Sequence, residues 1–162
     1  MPTIAVDLSG FRWSYLVLRG NFSAKIDAKG RLKIPTAFRT PIEEKYASSL
    51  FVTSITGESI LIYPMPVWIG IEEKLARVPS THPSRNRFFD RVNFFGQPAE
   101  FDKQGRVLMH TRVREVASMV GEVDVFGQYD HLEVWNHERF VERLESNPFT
   151  DDDALALSDL GI

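Results

Sequence analysis

The chain has no cysteine. That excludes disulfide bridges and thiolate metal sites, and it fits a reducing cytoplasm. No stretch approaches the roughly 18 apolar residues a membrane-spanning helix needs, so no membrane association is expected. The N-terminus lacks the basic-then-apolar pattern of a secretory signal. Histidine is scarce, and His82, His110, His131 and His137 do not share a metal-ligand spacing with one another or with a recognisable acidic partner. There is no phosphate-binding glycine loop, no dinucleotide glycine pattern and no Gly-x-Ser-x-Gly. An enzyme is therefore not expected, nor a cofactor, a metal or a small-molecule substrate. His110, beside a strand end, reads as a cap or surface residue rather than a general base.

Basic residues are missing from the C-terminal stretch. Residues 146–162 carry Asp151, Asp152, Asp153 and Asp159 with no Lys or Arg, and with Pro148 and Gly161 they read as a frayed acidic tail. The net charge of −3 over 162 residues hides a basic segment. Residues 17–45 hold Arg19, Lys25, Lys29, Arg31, Lys33, Arg39 and Lys45 against Asp27, Glu43 and Glu44. A local excess of this kind attracts polyanions even in an acidic chain; the plainer reading is a solvated basic face.

What the chain does contain is one phrase written twice. Ala24-Lys25-Ile26-Asp27-Ala28-Lys29-Gly30-Arg31 returns 75 positions later as Ala99-Glu100-Phe101-Asp102-Lys103-Gln104-Gly105-Arg106. Both copies hold Asp-x-x-Gly-Arg between short alternating apolar runs, the mark of a duplicated supersecondary unit. Ala24, Ile26, Leu32 and Ile34 share one parity, while Lys25, Asp27, Arg31 and Lys33 take the other. That predicts a hairpin with one buried and one charged face, cornered at Gly30. The second copy buries Ala99, Phe101, Val107 and Met109, with Gly105 at the corner; Leu108 interrupts its polar face.

The two units then run in parallel. Thr40-Pro41-Ile42-Glu43 has capping-box spacing with Pro at the first helical position, and residues 111–118 are its counterpart. Strands are expected over 50–55, 59–63, 122–126 and 131–135, and closing helices over 66–78 and 136–145. A helix over 84–95 joins the units, with Phe88, Phe89, Val92 and Phe95 inward and Gly96 as its stop. Residues 1–16 match nothing in the second copy and read as an extension. The organisation is therefore 1–16 extension, 19–68 first repeat, 69–96 helical connector, 97–145 second repeat and 146–162 acidic tail. A unit of this size rarely buries enough apolar surface to fold alone. The two units should pack as one pseudo-twofold α+β body, and exchanging hairpins between them would bury the most surface.

With both repeats in view, the chain resembles the MraZ family of bacterial transcriptional regulators, tandem members of the AbrB-like swapped-hairpin class. The markers are Arg19-Gly20-Asn21, Asp27-Ala28-Lys29-Gly30-Arg31-Leu32-Lys33-Ile34-Pro35, Phe38-Arg39, and Leu61-Ile62-Tyr63-Pro64 with Trp68. Asp102-Lys103-Gln104-Gly105-Arg106, Gly127-Gln128 and Glu133-Val134-Trp135 complete the set. The resemblance covers about Leu18 to Leu144, and three departures stand out. Residues 1–16 precede the usual start, and a start codon that elsewhere encodes Val would make Val17 the first residue; native peptides from residues 2–12 would rule that out. His110 stands where the family often has Pro. The Asp-rich tail matches no motif of the family.

The resemblance implies a barrel-like body of two swapped-hairpin units with short flanking helices. It also implies sequence-specific binding to double-stranded DNA by a ring-shaped homo-oligomer, whose hairpins engage short direct repeats upstream of its own gene. The expected action is repression of the division and cell-wall gene cluster by a cytoplasmic, nucleoid-associated protein. Asp27 and Asp102 suit turn architecture, each accepting from loop amides and steadying the Arg four residues on. A pre-oriented guanidinium suits bidentate contact with phosphate or a guanine edge. Arg31 and Arg106 are thus the expected principal contacts. Lys25, Lys29, Lys33, Arg19, Arg39 and Lys103 are expected around them, and Arg112 as a helper. Phe88, Phe89, Phe94, Phe95 and Trp68 are either core or subunit contacts. The chief rival is an antitoxin-like interaction module of the same hairpin class, using the acidic tail to bind a partner protein.

Overall fold

Each predicted hairpin parts company with itself just beyond its turn. In the computed structural model, which describes residues 17–162, the strand entering the first turn is β1 (Leu18–Lys25) and the strand leaving it is β2 (Arg31–Lys33). They share only the bridge Ile26–Leu32. β1 instead pairs along its length with β7 (Glu122–Tyr129) of the second repeat. β2 pairs with β6 (Arg106–Leu108), the strand leaving the second turn. The strand entering that turn, β5 (Gln97–Glu100), pairs with β3 (Ser49–Thr53) of the first repeat. The hairpins are exchanged between repeats, as expected from the need to bury surface.

The remaining strands are β4 (Ile60–Pro64) and β8 (Leu132–Asn136). All pairings are antiparallel, and the large sheet runs β1-β7-β8-β4-β3-β5. Exchanging repeat for repeat turns that order into its own mirror. The pseudo-twofold axis passes between Leu32 and Val107, partners in β2–β6 and 75 positions apart, and between Leu61 and Glu133 in β4–β8. The expected barrel is corrected here. The sheet is open, with β1 and β5 as its edges, and β2–β6 forms a separate two-stranded ribbon.

Helices α1 (Thr36–Tyr46), α2 (Met65–Ala76), α3 (Pro83–Phe94), α4 (Thr111–Val116) and α5 (His137–Ser146) flank the strands, and α6 (Asp151–Asp159) ends the chain. The main core gathers Leu32, Ile34, Phe38, Ile42, Val107, Met109 and Val113 from under the ribbon with Leu50, Ile62, Val125 and Val134 from the sheet. A second cluster on the opposite sheet face stacks Phe51 on Trp68 at 4.6 Å and closes with Leu61, Tyr63 and Val92. Strict alternation along β3 and β4 sends neighbouring residues to the two clusters. Trp68, one of the candidates for a subunit contact, is core.

Two local expectations fail for physical reasons. α1 begins four residues before Thr40, and Pro41 lies inside it. Phe38 and Ile42, one turn apart, are both buried beneath the ribbon; that packing overrides the missing amide of Pro41 and the apparent capping box. The acidic tail is not frayed throughout. The Thr150 hydroxyl accepts from the Asp153 amide while the Asp153 carboxylate accepts from the Thr150 amide, and Asp151, Asp152 and Asp153 sit at the positive end of α6.

Candidate nucleic-acid interface

The Asp-x-x-Gly-Arg turn is built by its own carboxylate. Asp27 Oδ1 accepts from the amides of Lys29 and Arg31, both at 2.9 Å, and Oδ2 accepts from Arg31 Nε at 2.8 Å. Asp102 repeats the pattern with Gln104, Arg106 and Arg106 Nε at 2.8, 2.9 and 2.8 Å. The donated Arg31 amide is the largest influence holding Asp27 below the usual carboxylate range, and the Arg106 amide holds Asp102 down to about 2. Both carboxylates are therefore ionised at neutral pH. Each engages the Nε of its own arginine, and the guanidinium carries further donors on Nη1 and Nη2.

The turns also brace one another. Ile34 donates its amide to Gly105 O at 3.0 Å, and Met109 donates to Gly30 O at 2.9 Å. Arg106 Nη1 lies 3.8 Å from Asp27 Oδ2, linking the second guanidinium to the first carboxylate. Gly30 and Gly105 have φ of +86° and +76°, where a side chain is strained. Over Gly30 lies the guanidinium of Arg114, whose Nε donates to Met109 O at 2.7 Å. Over Gly105 lies Arg39, which also pairs with Glu43 at 2.5 Å. A repeat offset of 75 makes Arg114 the counterpart of Arg39. Arg114 is not among the candidates named from the sequence, although the same offset applied to Arg39 points to it.

The ribbon register decides what faces outward. Leu32 and Val107 pair and are fully buried, so their neighbours Arg31 and Lys33 on β2, and Arg106 and Leu108 on β6, share the opposite face. Arg31 stands across from Leu108 and Lys33 across from Arg106. The two arginines lie on a diagonal, about 7–8 Å apart at the backbone. Their side chains are 30% and 25% exposed, held yet reachable.

The other expected contacts divide. Lys29 and Lys103 sit exposed in the two turns, beside the ribbon. Arg39 reaches the site as a clamp on Gly105. Lys25 ends β1 across from Glu122, at the near end of the sheet edge. Arg19 pairs across from Gln128 near the start of the same strand, about 20 Å from Lys25 along it, so the fold does not bring it to the turns. Arg112 is engaged elsewhere: Nη1 donates to Phe94 O at 3.1 Å and the guanidinium lies over the Phe94 ring. His110 Nε2 meets Phe95 O at 2.6 Å. Among the described residues no group of three His, Cys, Asp or Glu could hold a metal, and no helix is long and apolar enough to cross a membrane.

Interlocked copies of this turn, on exchanged strands of a tandem repeat, can be compared with known proteins. A family model described as "MraZ protein, putative antitoxin-like" matches residues 17–91 and 97–160. The chain belongs to the MraZ family. Among its relatives, a protein named Transcriptional regulator MraZ from Acidobacterium capsulatum is 45% identical over 146 residues, covering 90% of this chain and 100% of the relative. One of the same name from Koribacter versatilis is 44% identical over 147 residues, covering 90% and 100%. A more distant one, from Syntrophobacter fumaroxidans, is 36% identical over 118 residues, covering 73% and 78%. The MraZ match runs through α6, so the acidic tail, which carries no recognisable motif, still falls within the family's extent.

Proposed function

We propose that this chain is a sequence-specific DNA-binding transcriptional regulator, without catalytic activity, cofactor or small-molecule substrate. It represses the division and cell-wall gene cluster by binding short direct repeats upstream of its own gene. The observation that carries this reading is the β2–β6 ribbon. Two carboxylate-held guanidinium groups and Lys33 share one exposed face of a braced, two-stranded element. A ribbon of that kind fits the major groove, and an oriented guanidinium fits guanine or phosphate. Relatives named as transcriptional regulators support it.

One ribbon neutralises few phosphates, and each phosphate contact contributes only about one unit of salt slope. Tight binding therefore calls for several ribbons in one particle, a ring-shaped homo-oligomer whose avidity multiplies each contact. The exposed apolar side chains Phe94, Val141, Leu144, Leu155 and Leu160 support association between copies. The site of action is the cytoplasm, at the nucleoid. Footprinting the DNA upstream of its own gene, with sedimentation of the same mixture, tests the proposal. Regularly spaced protected repeats under an oligomeric particle are expected; protection no stronger than on unrelated DNA would overturn it.

A second reading draws on α6. A capped acidic helix that displays Leu155 and is followed by the exposed Leu160 and Ile162 suits an antitoxin-like arm that binds a partner protein. Recovery of a small toxin bound through residues 146–162 would favour it.

A further inference from the structure

The ribbon face breaks the molecule's own symmetry at one position. Under the pseudo-twofold, Arg31 corresponds to Arg106 and Lys33 to Leu108. Three of the four outward side chains are cationic. The fourth, Leu108, is 57% exposed and stands directly across from Arg31. Its β-strand neighbours Val107 and Met109 are fully buried, so the main core is complete without it. An apolar side chain kept in water, where its counterpart is a lysine, gains nothing from the fold.

We infer that Leu108 is a specificity-determining residue that packs on the 5-methyl group of a thymine beside the base or phosphate held by Arg31. The inference rests on the DNA-binding reading above. Cross-strand partners in a ribbon are about 5 Å apart, a spacing that puts both side chains over neighbouring base edges in one groove. Apolar contact with the thymine methyl is an established mode of major-groove readout. The lysine at the equivalent place supplies charge that every sequence satisfies. The two halves of the ribbon therefore read DNA unequally, with the Arg31–Leu108 half demanding a thymine and the Arg106–Lys33 half tolerating its absence. A nearly symmetric protein thereby gains a direction on its operator, as head-to-tail repeats require.

The test uses the full chain and the region upstream of its own gene, amplified once with dTTP and once with dUTP and primers carrying uracil for thymine, which replaces every thymine methyl by hydrogen. Titrations are run with the wild type, Leu108→Ala and Leu108→Lys. The wild type should bind the uracil duplex about fourfold or more weakly, the scale of one methyl group lost from an apolar contact. Leu108→Ala should bind both duplexes alike. Leu108→Lys should bind both alike, with a steeper salt dependence and less preference over unrelated DNA. Equal binding of the two duplexes by the wild type would overturn the inference, as would a methyl preference that survives in Leu108→Ala. If the wild type retards neither duplex better than unrelated DNA, the DNA-binding reading itself has failed, and with it this one.

Discussion

Arg114 closes over Gly30 from the other repeat. A methyl group added at the glycine would meet Arg114 Nε at 2.7 Å and Met109 O at 2.9 Å. Arg39 covers Gly105 in the same way, with Nη1 at 2.7 Å. The turn is thus a joint between two repeats, and its rigidity depends on a residue that makes none of the turn's own hydrogen bonds.

Gly30→Ala should therefore cost more than the backbone conformation alone. Gly121 provides the comparison, since it has φ +70° with nothing within 4 Å of an added methyl. Gly121→Ala should lose about 1 kcal/mol from the strained φ, and Gly30→Ala about 2–3 kcal/mol, because a backbone carbonyl must also shift. Urea unfolding of the two variants against the wild type measures the difference. Equal losses would show that Arg114 and Met109 yield freely.

Leu32 lies beside the pseudo-twofold axis, fully buried and paired with Val107 across it. Leu32→Ala should destabilise the protein by about 2–5 kcal/mol, and it should loosen both turns together because β2 and β6 form one ladder. Hydrogen exchange would report faster exchange at the Arg31 and Arg106 amides alike. Faster exchange in one turn only would contradict the shared-ribbon account.

The acid limb of stability follows from the turn carboxylates. Asp102 is held down to about 2 against an ordinary 3.8, chiefly by the Arg106 amide, and Asp27 is lowered chiefly by the Arg31 amide. A carboxylate lowered in the folded state binds its proton more readily in the unfolded one. Its stabilising contribution is present above about pH 4 and fades as the pH falls toward 2. Asp102→Asn should be less stable than the wild type at pH 6, and the gap should narrow between pH 4 and 2. His137 shows the opposite sign. The Asp124 carboxylate, 2.7 Å from its Nδ1, raises it above 6.5, so its contribution is full below pH 6.5 and fades as the pH climbs past its folded value. The pH dependence of unfolding for each variant, minus that of the wild type, gives both signs.

α6 displays Leu155 and is followed directly by Leu160, at 63% and 75% exposure, and its first turn is acidic. Replacing both with Asp should leave the melting temperature of the core unchanged, since neither packs in it, and should shift sedimentation toward smaller particles. Unchanged particle size would remove α6 from the assembly.

Much of the fold was legible because the chain states it twice. The 75-residue offset located both turns, and parity within each copy placed Leu32, Ile34, Val107 and Met109 inward and Arg31 and Arg106 outward. Strand pairing was less legible: local alternation is the same whether β1 pairs with β2 or with β7, and only the need to bury surface favoured exchange. The start of α1 was misread because Thr40-Pro41 mimics a cap, while the deciding contacts of Phe38 and Ile42 are long-range. α6 was missed although Thr150 and Asp153 carry capping-box spacing, because the acidic run masked it. Within the site, Arg19 and Arg112 were expected beside the turns; Arg19 lies about 20 Å from Lys25 along β1, and Arg112 is engaged at Phe94.

On the function proposed above, the Asp-held arginines of the ribbon grip DNA. Gel retardation of the fragment upstream of its own gene by Arg31→Ala and Arg106→Ala, over a series of salt concentrations, tests it most directly. Circular dichroism and sedimentation of the same samples control for folding and assembly. Both variants should remain folded and assembled and lose specific retardation, Arg31→Ala more severely, while wild-type affinity falls steeply with added salt. Specific retardation by either variant equal to that of the wild type, or affinity indifferent to salt, would overturn it.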